Sequence, residues 1–312
     1  MRLALAMTAP PSLNAIAEPV RVTLLRLQDG LYAARADNAE AAHANAGQVV
    51  PTLVHVSGNG VLVVDPGPHL RWGDQLIAAI RHVTSEPIRW VVNTHAHPEH
   101  VLANAAFARL QPRPAFLASA ATTSLMQQRC ETCLARLTRM LGEPAMRGTQ
   151  IVIPEPALRD GDWLHTGKTA WQVQVHTAAH SASDTVLYAP QRRVLCAGGL
   201  AYRQRVPDLQ DGSLLGWRQA LRALVQLPAD LVVATAIGTP AQTLHPTLTY
   251  LDALDASIAD AIEAGGDAAH ALDYVPGQAY RDWRNFHPRH ALNVARAWRE
   301  LEDRWMERAP LR

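Results

Sequence analysis

Apolar positions along the chain alternate between two periods. From Val20 to Leu31, and again from Val49 to Val64, short β-rich runs are broken by Gly30, Gly47, Gly58 and Gly60, the pattern of paired strands joined by tight turns. After Asp65-Pro66-Gly67 the spacing changes. DQLIAAIRHV over 74–83 places its apolar residues three and four apart and predicts a helix, and IRWVVNTH over 88–95 returns to strand and ends on a histidine. A second such unit follows: VLANAAFARL (101–110) as helix, PAFLAS (114–119) as strand, then a long helix from Ala121 to Leu141 stopped by Gly142 and Pro144. Strands resume in TAWQVQVH (169–176), DTVLYAPQRRVLCAGG (184–199) and ADLVVATA (229–236). Helices are predicted over Leu248 to Ala264 and Ala291 to Arg308.

Strands interleaved with helices, in two halves of similar content, predict an α/β (α+β) chain: two sheets packed face to face with helices outside, a four-layer αββα sandwich. No linker-like stretch divides residues 20–312, so one domain is expected there, with C-terminal helices from about 248. No repeat of 20–50 residues and no low-complexity tract appears. Residues 1–19, MRLALAMTAPPSLNAIAEP, carry one arginine and a short apolar run, a weak signal-like or disordered start.

Composition narrows the partners. The 312 residues are 48% hydrophobic, and 29 basic side chains nearly balance 28 acidic ones without a run of like charge. That argues against a nucleic-acid arm or an anionic-membrane surface; the partner expected is a small-molecule substrate. No apolar stretch approaches the roughly 18 residues of a membrane span. The 3 cysteines cannot all pair. Cys130 and Cys133 lie deep in a predicted helix and lack the second pair that a zinc ribbon needs, so they are expected to pack there.

The chemistry concentrates in VVNTHAHPEH, which sets His95, His97 and His100 within six residues at the end of a strand and before a helix. Residues two apart on extended backbone share a face, so His95 and His97 converge, while Glu99 and His100 approach from the following turn. Imidazoles crowded at a buried strand end repel one another when protonated. A divalent transition metal removes that cost.

Thr94-His95-Ala96-His97-Pro98-Glu99-His100 resembles the T-H-x-H-x-D-H signature of the metallo-β-lactamase fold superfamily. Asp65-Pro66-Gly67 is similar to its Asp-x-Gly turn and HSASD (180–184) to its third-ligand segment, so the resemblance runs from about Leu31 to Pro240. Within the superfamily the chain is similar to the quinoprotein relay system zinc metallohydrolases in the helix after Asp65, in MLGEPAMRGT (140–149) and in NVARAWRELE (293–302). That resemblance implies a link to quinoprotein electron transfer and a periplasmic location, with the cytoplasm as the alternative.

The resemblance implies a first metal on His95, His97 and His180, and a second on the Asp of the motif, His100 and a further His, with another Asp bridging both. Here Glu99 replaces the motif Asp, Gly199 stands at the bridging Asp and Ile237 at the last His. The second site is expected to be degenerate, unless His176 or His245 substitutes. Three imidazoles and an open position suit one catalytic zinc. The expected activity is hydrolysis of an ester, thioester, lactone or amide by a water the zinc activates, with Glu99 as general base. Asp65 and Asp184 are expected to orient ligand histidines or to tie the ligand loop. Two other outcomes stay open: a paralogue that binds metal or a partner without turnover, and an iron-dependent oxygenase. Trp298 and Trp305, one heptad apart, are expected to pack on the core, with an oligomer contact as the alternative.

Overall fold

Short apolar runs build two sheets packed face to face. The computed structural model describes residues 21–275 and 277–308; the signal-like segment over 1–19 lies outside the described residues. The first sheet has seven strands in chain order: β1 (Leu24–Gln28), β2 (Leu31–Ala34), β3 (Thr52–Val56), β4 (Val61–Val64), β5 (Ile88–Val92), β6 (Ala115–Ser119) and β7 (Glu155–Leu158). Its first four strands pair antiparallel and the rest parallel. The second sheet runs β13 (Ile237–Gly238), β12 (Leu231–Val233), β11 (Val194–Cys196), β10 (Ser183–Ala189), β9 (Thr169–Thr177) and β8 (Trp163–Thr166).

The period of two assigns each strand residue to a layer. On β4, Val61 and Val63 face outward onto Leu76 and Ile80 of α1 (Leu70–Val83). Leu62 and Val64 face the other sheet and meet Trp171, Val173 and Leu187. On β10, Val186 and Tyr188 face out onto α6 (Leu214–Leu224), α7 (Leu244–Glu263) and α9 (Phe286–Arg308), while Leu187 and Ala189 face in. Strands covered on both faces read as continuous apolar runs, which is why VLVV is buried throughout. The αββα layering follows from these contacts, and each fully buried aliphatic side chain contributes about 1.5–3 kcal/mol to it.

Several boundaries differ from the sequence expectation. β5 ends at Val92, so Asn93 to His97 form a loop and not the last turns of a strand. The helix expected over 101–110 is two short turns, α2 (Pro98–Val101) and α3 (Asn104–Phe107); Pro98 occupies the first turn of α2, where its missing N–H costs nothing. The long helix is α4 (Ala120–Leu141), begun by the Ser119 hydroxyl accepting from Thr122 N–H, and α5 (Glu143–Met146) follows it. α7 begins at Leu244 and α9 at Phe286, each a few residues earlier than expected, and α8 (Ala271–Tyr274) lies between them. Trp298 is buried against α7, whereas Trp305 is exposed.

Cys130 lies on the buried side of α4 with Met126 and Leu137, and burial pushes its thiol up to about 12. All three cysteines are free. No described helix is long and apolar enough to cross a membrane.

Candidate functional site

The histidine loop leaves β5 at the edge between the two sheets and is held from behind by one carboxylate. Asp65, at the end of β4, adopts a left-handed φ of 53°. From there it accepts the Thr94 N–H on Oδ1 at 2.9 Å, and the Thr94 hydroxyl and His100 Nδ1 on Oδ2 at 2.7 and 2.8 Å. The Thr94 hydroxyl has a single proton, and Asp65 takes it. Its oxygen is therefore the acceptor for His95 Nδ1–H at 2.8 Å. The tautomer of His95 is fixed by this chain: Nδ1 carries the proton and Nε2 is bare.

That bare nitrogen is buried and has no hydrogen-bond partner. Around it stand the rings of His97, His180 and His100, at centroid distances of 4.7, 5.1 and 4.1 Å. His180 Nε2 lies 3.1 Å from His97 Nδ1. A tetrahedral ion with bonds of about 2.0–2.1 Å sets neighbouring nitrogens about 3.3 Å apart, so this spacing fits two of its ligands. Ligand atoms of His95, His97 and His180 all lie within 4.8 Å of one another, and the three could hold a metal ion. Asp65, His95 and His100 form a second such group, but its Asp65 and His100 atoms are already engaged with each other and with Thr94.

Protonation is divided unevenly across the cluster. Burial, then the charges of His100, His97 and His180, keep His95 well below the ordinary imidazole range, and His180 is lowered in the same way. On His97 burial acts downward but is outweighed by Asp211, whose Oδ2 lies 3.3 Å from Nε2, and by the charges of Glu99, Asp211 and Asp184, so its pKa is raised. Asp211 is lowered in turn, by its bond to His97 first and by Arg129, 3.2 Å away, next. This arrangement holds the proton on Nε2 of His97 and turns Nδ1 toward His180.

The other expected site residues are placed as follows. Glu99 is half-buried on the cavity wall; burial raises its pKa, but His97 and His100 hold it below the usual carboxylate value. Asp184 ties the ligand loop, accepting Ser181 N–H at 2.8 Å, and burial pushes its carboxyl up to about 6. His176 stands half-buried on β9 opposite Asp184, and His245 is exposed on the first turn of α7; neither joins the cluster. Ile237 packs into the layer between the sheets. A Cβ on Gly199 would lie 2.2 Å from His180 Cδ2 and 2.6 Å from Nε2, so the His180 ring occupies the space a side chain at 199 would need.

α6 sets the position of His180. Ser213 N–H donates to the Ala179 carbonyl at 2.9 Å, and a Cβ on Gly216 would sit 2.0 Å from the Ala178 carbonyl oxygen, so only glycine allows the helix to press on this loop. Trp217, on the same helix, meets the His180 ring edge-on at 4.9 Å. A cavity of about 140 Å3 opens over His97 and His180, walled by α4 through Leu125, Arg129, Cys133 and Arg136 and by the loop carrying Arg205 and Asp211. Sequence reasoning missed Asp211 and these arginines. They reach the site from distant segments with no local pattern to mark them.

The family model for the metallo-beta-lactamase superfamily matches residues 44–236. Among solved structures, a metallo-beta-lactamase from Pontibacter korlensis superposes with a TM-score of 0.59 at 20% identity, covering 74% of this chain and 99% of that one. The metallo-beta-lactamase FIM-1 from Pseudomonas aeruginosa, described in its mono-zinc form, gives 0.57 at 18% identity, covering 75% and 96%. An uncharacterized protein of Aquifex aeolicus (strain VF5) is 34% identical over 83 residues, 26% of this chain and 39% of its own length.

Proposed function

Because the chain belongs to the metallo-beta-lactamase superfamily, we propose that it is a hydrolase working with a single zinc ion held by His95, His97 and His180. The observation that carries this reading is the bare, buried Nε2 of His95 facing two further ring nitrogens. An orphaned buried acceptor is costly, and an ion removes that cost. The second metal position is degenerate in this reading, since Gly199 and Ile237 bring no donor atom and His180 fills the space beside Gly199.

When bound, the ion supplies Lewis acidity, acidifying a water and polarising a carbonyl. The protein's own groups do the rest. Asp65, through Thr94, holds His95 in its ligating tautomer, and Asp211 does the same for His97. Glu99, kept ionised by its histidine neighbours, is the base that receives a proton from the attacking water. The α4 wall positions an ester, thioester, lactone or amide over the histidines. The similarity of 140–149 and 293–302 to quinoprotein relay metallohydrolases extends the proposal to a role beside quinoprotein electron transfer.

Elemental analysis of protein purified without added metal tests the reading. One zinc per chain, lost in His180→Ala, is the expected result. Two ions would overturn the mononuclear site. One zinc without turnover of any ester, thioester, lactone or amide would leave a metal-binding protein that does no hydrolysis, and turnover undiminished in Glu99→Gln would remove Glu99 as the base.

A further inference from the structure

The charges lining the cavity do not cancel in pairs. Arg289 is held by two carboxylates, Glu40 at 2.8 Å and Asp208 at 2.7 Å. Arg129 shares Asp211 with His97. Against its burial, Glu99 is held below the usual carboxylate value by the charges of His97 and His100 first, with a smaller contribution from Arg205. Two guanidiniums on the cavity wall, Arg205 and Arg136, form no ion pair with a described carboxylate.

Arg205, in the loop after β11, is only 7% exposed, yet it forms no ion pair with any described carboxylate. Its Nη1 donates to the Ala39 carbonyl at 2.5 Å, its plane lies over Tyr202 at 4.7 Å, and its buried Nε has no partner. It lines the same cavity as His180 and Glu99. Arg136, on α4, is exposed at the same cavity and likewise forms no ion pair with a described residue. The remaining wall is largely apolar, with Val49, Leu125, Leu137 and Met140.

Taking a guanidinium out of water without a carboxylate is unfavourable unless something it binds compensates. Its planar fork matches the two oxygens of a carboxylate or phosphate, which it grips through parallel charge-assisted hydrogen bonds. We propose that the cavity takes an amphiphilic acyl substrate whose far end carries an anionic group, a carboxylate or a phosphate monoester, bound by Arg205 with Arg136 at the mouth. What reacts at the histidines rests on the hydrolase reading above. The anion recognition itself rests on the two arginines and needs no ion.

Calorimetric titration of the full, zinc-loaded chain with monomethyl succinate, methyl phosphate and neutral dimethyl succinate tests this. At least one anionic probe is expected to bind tenfold or more tightly than the neutral one, and the preferred anion identifies the carboxylate or the phosphate source. Arg136→Gln weakens that preference at least threefold, Arg205→Gln abolishes it, and Arg205→Lys, which keeps the charge but not the fork, is intermediate. Thermal midpoints of each variant confirm folding, since Arg205 also ties Ala39. Because an anion can ligate zinc directly, the titrations are repeated on His180→Ala, where the preference is expected to persist. Loss of the preference there, equal affinities for all three probes, or a preference untouched by both Arg136→Gln and Arg205→Gln would overturn the proposal and leave the zinc site standing. A wild-type chain that takes up no zinc yet still prefers the anion would overturn the hydrolase reading alone.

Discussion

At the scale of single residues, the site depends on which nitrogen of each imidazole carries a proton. Asp211 fixes this for His97 and is itself clamped by Arg129. Partners that orient a ligand histidine are typically worth 10–100-fold in metal affinity, so Asp211→Asn, which keeps the shape and removes the charge, should weaken zinc binding by about tenfold. Competition against a chromogenic chelator reads this directly; an unchanged affinity would mean that His97 is oriented by its loop alone. Gly199→Ala makes a sharper case. It removes no ligand, yet its Cβ would press on the His180 ring, so zinc affinity should fall there too. That His95, His97 and His180 come together was legible because two share a contiguous motif and the third sits in a recognisable HSASD turn. Asp211, Arg129 and Arg205 were not, since a lone charged residue in a loop reads the same whether it faces solvent or a distant imidazole.

At the scale of elements, α6 shows how the ligand loop is held and why the helix escaped the sequence reading. Its sequence LLGWRQALRAL has the right spacing but includes Gly216, which lowers helix propensity and is there for close approach to Ala178. Its first turn is also capped from 86 residues away. Glu300 on α9 accepts the Ser213 hydroxyl at 2.6 Å, Leu214 N–H at 2.9 Å and Leu215 N–H at 3.1 Å. Such tertiary capping has no local signature. Replacing Glu300 with Ala leaves those donors unsatisfied and should cost about 2 kcal/mol, read as a shift in the urea midpoint at constant slope. Because Ser213 also holds the Ala179 carbonyl, the same variant should bind zinc less tightly. A stability loss with affinity intact would show that the His180 loop does not depend on this cap. The strands, by contrast, were legible wherever both faces are apolar; β7 and β8 were missed because EPAL and WLHT are mostly exposed and carry no clear period.

At the scale of the whole molecule, two buried histidines tie layers together and set how the fold responds to acid. His55 on β3 crosses between the sheets, with Nδ1 3.0 Å from the Thr166 hydroxyl on β8 and Nε2 3.3 Å from that of Thr169 on β9. His69 accepts Trp72 N–H at the start of α1 and donates to the Ala46 carbonyl at 3.0 Å. Burial first, then the charge of Arg192, lowers His55 to about 4; burial likewise lowers His69 to about 4. In the unfolded chain both would titrate near the ordinary value of about 6.5. Between those two values the unfolded state binds protons that the native state refuses, so stability rises with pH and is lost as pH falls from about 7 toward 4. A gap of about 2.5 units corresponds to on the order of 3 kcal/mol per histidine at the acid end. Thermal midpoints between pH 7.5 and 4.5 check this, measured in a His180→Ala background so that zinc release does not contribute. His55→Gln should lower the midpoint at neutral pH, by loosening the inter-sheet bonds, but flatten its fall with acid, so the two curves converge toward pH 4.5. Parallel curves would mean that the acid sensitivity lies elsewhere and that His55 is protonated in the folded protein without penalty.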